Sequence, residues 1–133
     1  MNGNGLADGL RFAPGFAIVE VVMSRSRELF ARIDRLSARA ARATVDGELL
    51  AEIEDTLAQG YMHALTEEAR SRRLGRRLEA LVNQIDEPGV AAEARRIAGE
   101  RRTLDRTTGE LRRRLAVMRE QFVRLGGGQS ATR

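Results

Sequence analysis

Few residues in this sequence have the types and spacing that catalysis needs. His63 is the only histidine and cysteine is absent, so the sequence predicts neither a histidine-based metal site nor a cysteine nucleophile. No nucleophile motif accompanies His63, and the carboxylates Glu52, Glu54 and Asp55 lack the Glu-x-x-His pairs of a diiron site. Phosphate-binding loops, dinucleotide fingerprints and G-x-S-x-G motifs are also missing. We therefore expect a non-catalytic protein with no catalytic residue, no cofactor and no metal.

Arginine is the residue type that could bind a ligand by its charge. All 23 basic residues are Arg, set against 19 carboxylates, and the formal net charge is +4. A band of them could bind a phosphate backbone. The members of this arginine band are Arg72, Arg73, Arg76, Arg77, Arg95, Arg96 and Arg102. Interleaved acids and the lack of stacking aromatics favour a solvated coiled-coil surface, so a nucleic-acid-associated protein is the alternative function.

The composition indicates that helices must position these residues. Ala, Leu, Arg and Glu make up about half of the 133 residues, which is typical of long helices and coiled coils. An aromatic content of 4% disfavours a β-sandwich or barrel. The length suits a single domain. No stretch approaches about 18 apolar residues, and the start of the chain lacks a secretory pattern, so we expect a cytoplasmic protein without a membrane span.

Glycine and proline divide the chain into a helical domain and two ends. We predict flexible tails over residues 1–15 and 126–133, and one domain over 16–125 with helices at about 17–44, 47–86 and 88–125. Pro88 marks the clearest break, because proline disrupts a helix interior. Asp46 could cap the second helix, although one continuous helix across Thr44–Gly47 is an open alternative. Gly126 is expected to end the third helix.

The second and third segments each hold one heptad phase for five repeats, which predicts a seam of apolar residues. Folding the chain at Pro88 pairs seam residues whose numbers sum to 175. Examples of the predicted layers are Ile85 with Val90, Leu78 with Ile97, and Gly60 with Leu115. The sequence therefore predicts an all-α fold: a long antiparallel helical hairpin (coiled coil) plus an N-terminal third helix.

Charges support this pairing. Residues 46–87 carry net −5 and residues 88–133 carry net +6, and we expect flanking ion pairs Glu54–Arg119 and Arg77–Glu100. The middle of the seam is polar, with Glu67, Ser71, Arg101 and Thr108 at positions that favour Leu. A polar layer fixes helix register at a cost in stability. A hinge or a partner contact is the other interpretation.

Apolar residues outside the seam need cover from the first helix or from a second chain. They are Leu49, Tyr61, Leu65, Val82 and Val117. The stretch from Leu10 to Met23 is the most apolar segment without an assigned partner. For association we single out Phe16, Ile18, Val19, Val22 and Leu29. The predicted function is a scaffold, adaptor or assembly subunit that binds protein helices, either its own copies (a homo-oligomer) or another helical protein.

Two carboxylates, Asp86 and Glu87, fall at the predicted turn of the hairpin. This placement resembles the plan of transcription factors of the Gre type, which carry acidic residues at a coiled-coil tip. The resemblance covers the hairpin and these two residues, without that family's second domain or a sequence motif. It implies a regulator of the transcription machinery as a second alternative. A solvent-exposed turn accounts equally for two polar residues.

Overall fold

The computed structural model describes the backbone over residues 14–42 and 46–131, and the side chains over residues 24–42 and 46–126. Within those ranges the chain forms three helices and no strand: α1 (Pro14–Arg42), α2 (Gly47–Val82) and α3 (Val90–Ala131). α2 and α3 pack along each other as an antiparallel hairpin, and α1 packs against both. The predicted all-α fold is therefore confirmed. No helix in the described ranges combines the length and apolarity that a membrane crossing requires.

Local signals explain where the hairpin helices meet their loops. The Asp46 side chain accepts a hydrogen bond from the Glu48 N–H at 3.0 Å, which caps the first turn of α2. α2 is therefore a separate helix from α1. At the turn, Gly89 has a φ of +82°, a conformation that costs little only for glycine. The chain folds back next to Pro88, as the heptad pattern predicts.

The helix ends differ from the predicted ones. α2 ends at Val82, four residues early, because the N–H groups of Gln84 and Glu87 turn back to the carbonyls of Leu81 and Gln84. Ile85 therefore lies in the turn and is 46% exposed, so the predicted layer of Ile85 with Val90 is wrong. α3 continues to Ala131 instead of ending at Leu125. Gly126 keeps a negative φ, and helical glycine costs only about 1 kcal/mol.

Two apolar clusters lie along the hairpin. We call the part around α1 the proximal half (residues 24–42, 46–69 and 108–126), and the hairpin end the distal arm (residues 70–107). The proximal cluster contains Ile33, Leu36, Leu49, Ile53, Leu57, Ala64, Leu111, Leu115 and Met118. The distal cluster is smaller, with Leu81, Val90 and Ile97 at its centre and Leu74, Leu78 and Ala94 against it. Leu78 and Ile97 thus share a cluster, as the predicted register requires.

The polar layer of the seam separates the two clusters. Glu67, Ser71 and Thr108 are all buried there. Ser71 donates a hydrogen bond to the Asp105 carboxylate at 2.6 Å and accepts one from Arg101 Nε at 3.3 Å. The Arg101 guanidinium lies where a side chain on Gly75 would otherwise stand, 2.9 Å from the position of a Cβ atom. These bonds tie α2 to α3 across the layer, which supports its interpretation as a register-fixing feature.

Candidate protein interface

α1 occupies one of the two grooves between α2 and α3. Three ion pairs fix it there: Arg32–Asp55, Arg39–Glu52 and Asp34–Arg114. The Arg114 guanidinium also lies 4.4 Å from the centre of the Phe30 ring, a cation–π contact. Below these contacts, Ile33 and Leu36 enter the proximal cluster. α1 is therefore an integral part of the proximal core.

Leu29 shows that part of the predicted association segment serves the chain itself. Its side chain is half-buried and packs against the proximal cluster. The side chains of Phe16, Ile18, Val19 and Val22 lie outside the described residues. That these four residues bind a partner stays a prediction.

The second groove between α2 and α3, which we call the open groove, faces away from α1. Its lining consists of Tyr61, Ala116, Arg119, Glu120, Val123 and Arg124. Tyr61 is two residues from Gln59, which contacts α1. Two helical residues correspond to a rotation of about 200°, so Tyr61 lies on the opposite side of α2. The described part of α1 therefore leaves this groove free.

Apolar side chains remain exposed beside the open groove. Leu49, one of the residues predicted to need cover by another helix, is only 1% exposed beside α1. Leu65, one turn after Tyr61, is 56% exposed, and Val123 is 61% exposed. Val117 is 54% exposed but lies on the α1 side of α3, at helical spacing from Arg114 and Gln121, which both contact α1. Exposed apolar side chains bordered by charged residues in this way are typical of an interaction surface.

The charges around the open groove differ from the predicted pairs. Glu54 and Arg119 are both exposed and form no ion pair with any described residue, so the predicted Glu54–Arg119 bridge is wrong. Glu68 instead pairs with Arg112 through both carboxylate oxygens. Hydrogen bonding by the Arg112 guanidinium holds the pKa of Glu68 below its usual value.

The predicted Arg77–Glu100 bridge is also wrong. Arg77 bonds to Glu93 at 2.7 Å, and Glu100 lies 4.0 Å from Arg70. Both observed pairs have residue numbers that sum to 170, so they lie one heptad apart on the same side of the hairpin. The shift places each Glu of α3 opposite a different Arg of α2 from the one that we predicted.

The arginine band lies on the distal arm, and all seven members are exposed. Arg77 has its ion pair with Glu93. The other six form no ion pair with any described residue. Arg73 additionally borders the groove between α1 and α2, together with Arg25 and Arg70. The structure thus brings the band together on one end of the molecule.

The two tip carboxylates are both exposed in the turn between α2 and α3. The Glu87 N–H donates to the Gln84 carbonyl at 3.0 Å, and the Glu87 carbonyl accepts from Val90. The backbone of Glu87 therefore helps to close the turn, and its side chain is free. The regulator hypothesis for Asp86 and Glu87 stays a prediction.

A polar cluster between α1 and α2 was missed in the sequence. Ser26 Oγ and His63 Nε2 lie 3.0 Å apart, and Glu67 follows His63 by one helical turn. Burial lowers the pKa of His63, against the opposing effect of the Glu67 charge. The spacing of His63 and Glu67 was visible in the sequence, whereas the approach of Ser26 depends on how α1 docks.

These three side chains resemble the parts of a hydrolytic triad, but their geometry does not fit that chemistry. Ser26 is 2% exposed, so a substrate carbonyl cannot reach its hydroxyl while α1 is docked. Glu67 makes no hydrogen bond to His63, and its Oε2 atom has no partner within the described structure. The described residues also contain no group of three or more potential metal ligands. The arrangement instead contributes a polar contact between helices.

Comparisons with known proteins add no functional information about these surfaces. No family model, no curated protein and no solved structure matches the chain. The open groove and the arginine band are therefore interpreted from their contacts, burial and charge.

Proposed function

We propose that this chain is a non-catalytic assembly subunit of the cytoplasm that binds helices through its open groove, and that its partner there is a second copy of itself. The observation that carries the proposal is the apolar surface formed by Tyr61 together with the exposed side chains of Leu65 and Val123. The groove on the other side of the same two helices is filled by α1. The side of α2 and α3 opposite α1 is thus the side on which further helices can pack.

Charge complementarity favours a second copy as the occupant. On the open-groove side, Glu54 of α2 is an exposed carboxylate, and Arg119 and Arg124 of α3 are exposed arginines. None of the three forms an ion pair with a described residue. When two hairpins face each other with a two-fold axis along their length, α2 of each copy lies on α3 of the other. The side of one copy that carries Glu54 then meets the side of its partner that carries Arg119, twice.

Glu54 and Arg119 are the charges that this arrangement pairs. They stand at nearly the same level of the hairpin, both are exposed, and neither has an ion pair within the described chain. Facing copies place Glu54 next to Arg119 of the partner subunit. Such bridges contribute mainly to register and partner choice, while burial of Leu65 and Val123 supplies most of the affinity.

Charge reversal tests the proposal by sedimentation equilibrium. We expect a wild-type dimer, and at least tenfold weaker self-association for Glu54→Arg and for Arg119→Glu, because each variant places two pairs of like charges in contact. An equimolar mixture of the two variants should restore the dimer, since every contact becomes attractive. A wild-type chain that stays monomeric, or variants that associate as tightly as the wild type, would contradict the proposal.

Replacing an apolar residue, with a matched control, distinguishes association through the open groove from nonspecific hydrophobic association. Leu65→Glu should abolish self-association, because it places a carboxylate in the centre of the apolar surface. Val82→Glu is the control, since Val82 is also 61% exposed but lies at the far end of the distal arm. Equal effects of the two substitutions would place the interface elsewhere.

A further inference from the structure

The distal arm holds the net positive charge of the chain. Residues 70–107 contain ten arginines and six carboxylates, a net charge of +4 that equals the formal charge of all 133 residues. The remaining arginines and carboxylates are equal in number. Positive charge is therefore concentrated at one end of the molecule, which is the distribution that attracts a polyanion.

Neutralising partners are scarce within the arm. Glu93 is engaged by Arg77, Glu100 lies nearest Arg70, and Asp105 accepts the hydrogen bond of Ser71. Asp86 and Glu87 lie at the tip, beyond the band, and the sixth carboxylate, Glu79, is exposed and forms no ion pair with a described residue. Six arginines of the band consequently have no ion pair within the described structure, and their guanidinium groups are available to a ligand.

Four of these arginines form two pairs, one pair on each helix of the distal arm. On α2, Arg72 and Arg76 follow Leu65 and Glu68 at helical spacings of three and four residues. On α3, Arg95, Gly99 and Arg102 follow one another at spacings of four and three residues, so they share a face. Gly99 lies between the two α3 arginines, and a Cβ there would meet no atom closer than 3.9 Å. The absence of a side chain at Gly99 thus lets a ligand approach the backbone of α3 between Arg95 and Arg102.

We infer that this part of the distal arm binds the phosphate backbone of a nucleic-acid duplex, a function beyond the proposed self-association. Arginine pairs with phosphate through two parallel hydrogen bonds. Four arginine side chains spread over roughly 12 Å of helix, a length over which a duplex presents about seven charges. No aromatic residue occurs between residues 70 and 107, so the arm offers nothing for unpaired bases to stack on. This chemistry favours a duplex that is bound through its phosphate backbone, whatever its base sequence.

Other anionic surfaces fit less well. An anionic membrane would meet the carboxylates of Asp86 and Glu87 at the tip, where Val82 and Ile85 are the exposed apolar side chains. Like charges repel there, so insertion of the tip is disfavoured. An acidic polypeptide matches the charge of the arm, although not the phosphate geometry that favours arginine.

Anisotropy of a fluorescent DNA duplex, titrated with the full chain at several salt concentrations, tests the inference. If four phosphates are contacted, log Kobs should fall against log[salt] with a slope of about −3.6. Replacing Arg72, Arg76, Arg95 and Arg102 together by Gln should weaken binding at least tenfold at low salt and bring the slope close to zero. Circular dichroism should remain unchanged, because all four side chains are exposed.

The matched control removes the same charge from α1. Arg25, Arg27, Arg35 and Arg42 are exposed and form no ion pair with described residues, and their joint replacement by Gln should leave most of the affinity. Absence of binding at low salt, or an equal loss in both quadruple variants, would overturn the inference. Equal affinity for polyglutamate or for phosphatidylserine vesicles would overturn the assignment to nucleic acid. Glu54→Arg should still bind the duplex, so failure of the proposed dimer is distinguishable.

Discussion

The proximal half and the distal arm are built from the same two helices and the same heptad repeat, yet their cores differ. In the proximal half, Ile53, Leu115 and Met118 are 0% exposed. In the distal arm, Leu74 and Leu78 of the equivalent seam are only half-buried. The described side chains of α1 dock on the proximal half, so a third helix closes that seam to water. The comparison shows that a seam between two helices stays partly exposed to solvent even when its heptads are regular.

Electrostatics follows the same division. Proximal arginines such as Arg32, Arg39 and Arg114 link helices through ion pairs, whereas six arginines of the distal band form no ion pair with a described residue. Exposed ion pairs each contribute only about 0–1 kcal/mol, so this difference has little effect on stability. Its consequence is functional: one half uses its charges to position α1, and the other presents them to solvent.

Truncating one leucine in each half should produce the largest difference in the free energy of unfolding between the two halves. Leu115→Ala is expected to lower the free energy of unfolding by about 3–4 kcal/mol, because it leaves a cavity in a fully buried layer. Leu78→Ala should cost about 1–2 kcal/mol, because its half-buried side chain loses less contact. Urea denaturation at one fixed protein concentration measures both. Equal costs would show that the distal seam is packed as tightly as the proximal one.

A methyl group added to a glycine should change the stability of the chain in opposite directions in the two halves. In the proximal half, a Cβ on Gly60 would overlap with a methyl of Leu115, so Gly60→Ala is expected to destabilise the chain by about 1–3 kcal/mol. In the distal arm, Gly99→Ala has room for its Cβ, and it should stabilise by about 0.5–1 kcal/mol through helix propensity. Thermal unfolding of both variants tests this. A lower melting temperature for Gly99→Ala would contradict the open space around Gly99.

The heptad made the hairpin predictable, because a seam that holds one phase over five repeats leaves a single register when the chain folds at Pro88. The meeting of Gly60 with Leu115 and of Leu78 with Ile97 follows from that arithmetic. Ile85 was misplaced since the turn begins at Asn83, and helix ends depend on a few backbone hydrogen bonds rather than on periodicity.

The surfaces were less predictable than the seam. Long charged side chains can reach several partners at nearly equal cost, which is why Arg77 bonds to Glu93 rather than to Glu100. The contact between Ser26 and His63 depends on the position of α1 along the hairpin, and α1 carries no regular heptad that would specify it. The open groove became definable only after the side occupied by α1 was known.

The smallest predicted effect concerns the pH dependence of α1 docking. Burial lowers the pKa of His63 below its ordinary value of 6.5, so the folded state favours the neutral ring more than the unfolded state does. The neutral ring therefore stabilises the proximal half fully above pH 6.5, and that contribution is lost as the pH falls through the lowered pKa. Arg25 from α1 and Glu67 from α2 act on the ring in opposite directions, and His63 is half-exposed. We expect a change smaller than that of either core substitution.

Hydrogen exchange can locate this change, because acidification should act on one half only. Once the pH dependence of the intrinsic exchange rates is removed, amides of α1 should lose protection between pH 7 and pH 5, while amides around Ile97 in the distal arm should not. His63→Gln keeps a polar side chain that can bond to Ser26 but does not titrate, and it should abolish the selective loss. If the variant lost protection in the same way, or if both halves loosened together, His63 would not be the group that couples α1 docking to pH. Confinement of the effect to α1 would instead show that the two halves respond to protonation as separate units of one hairpin.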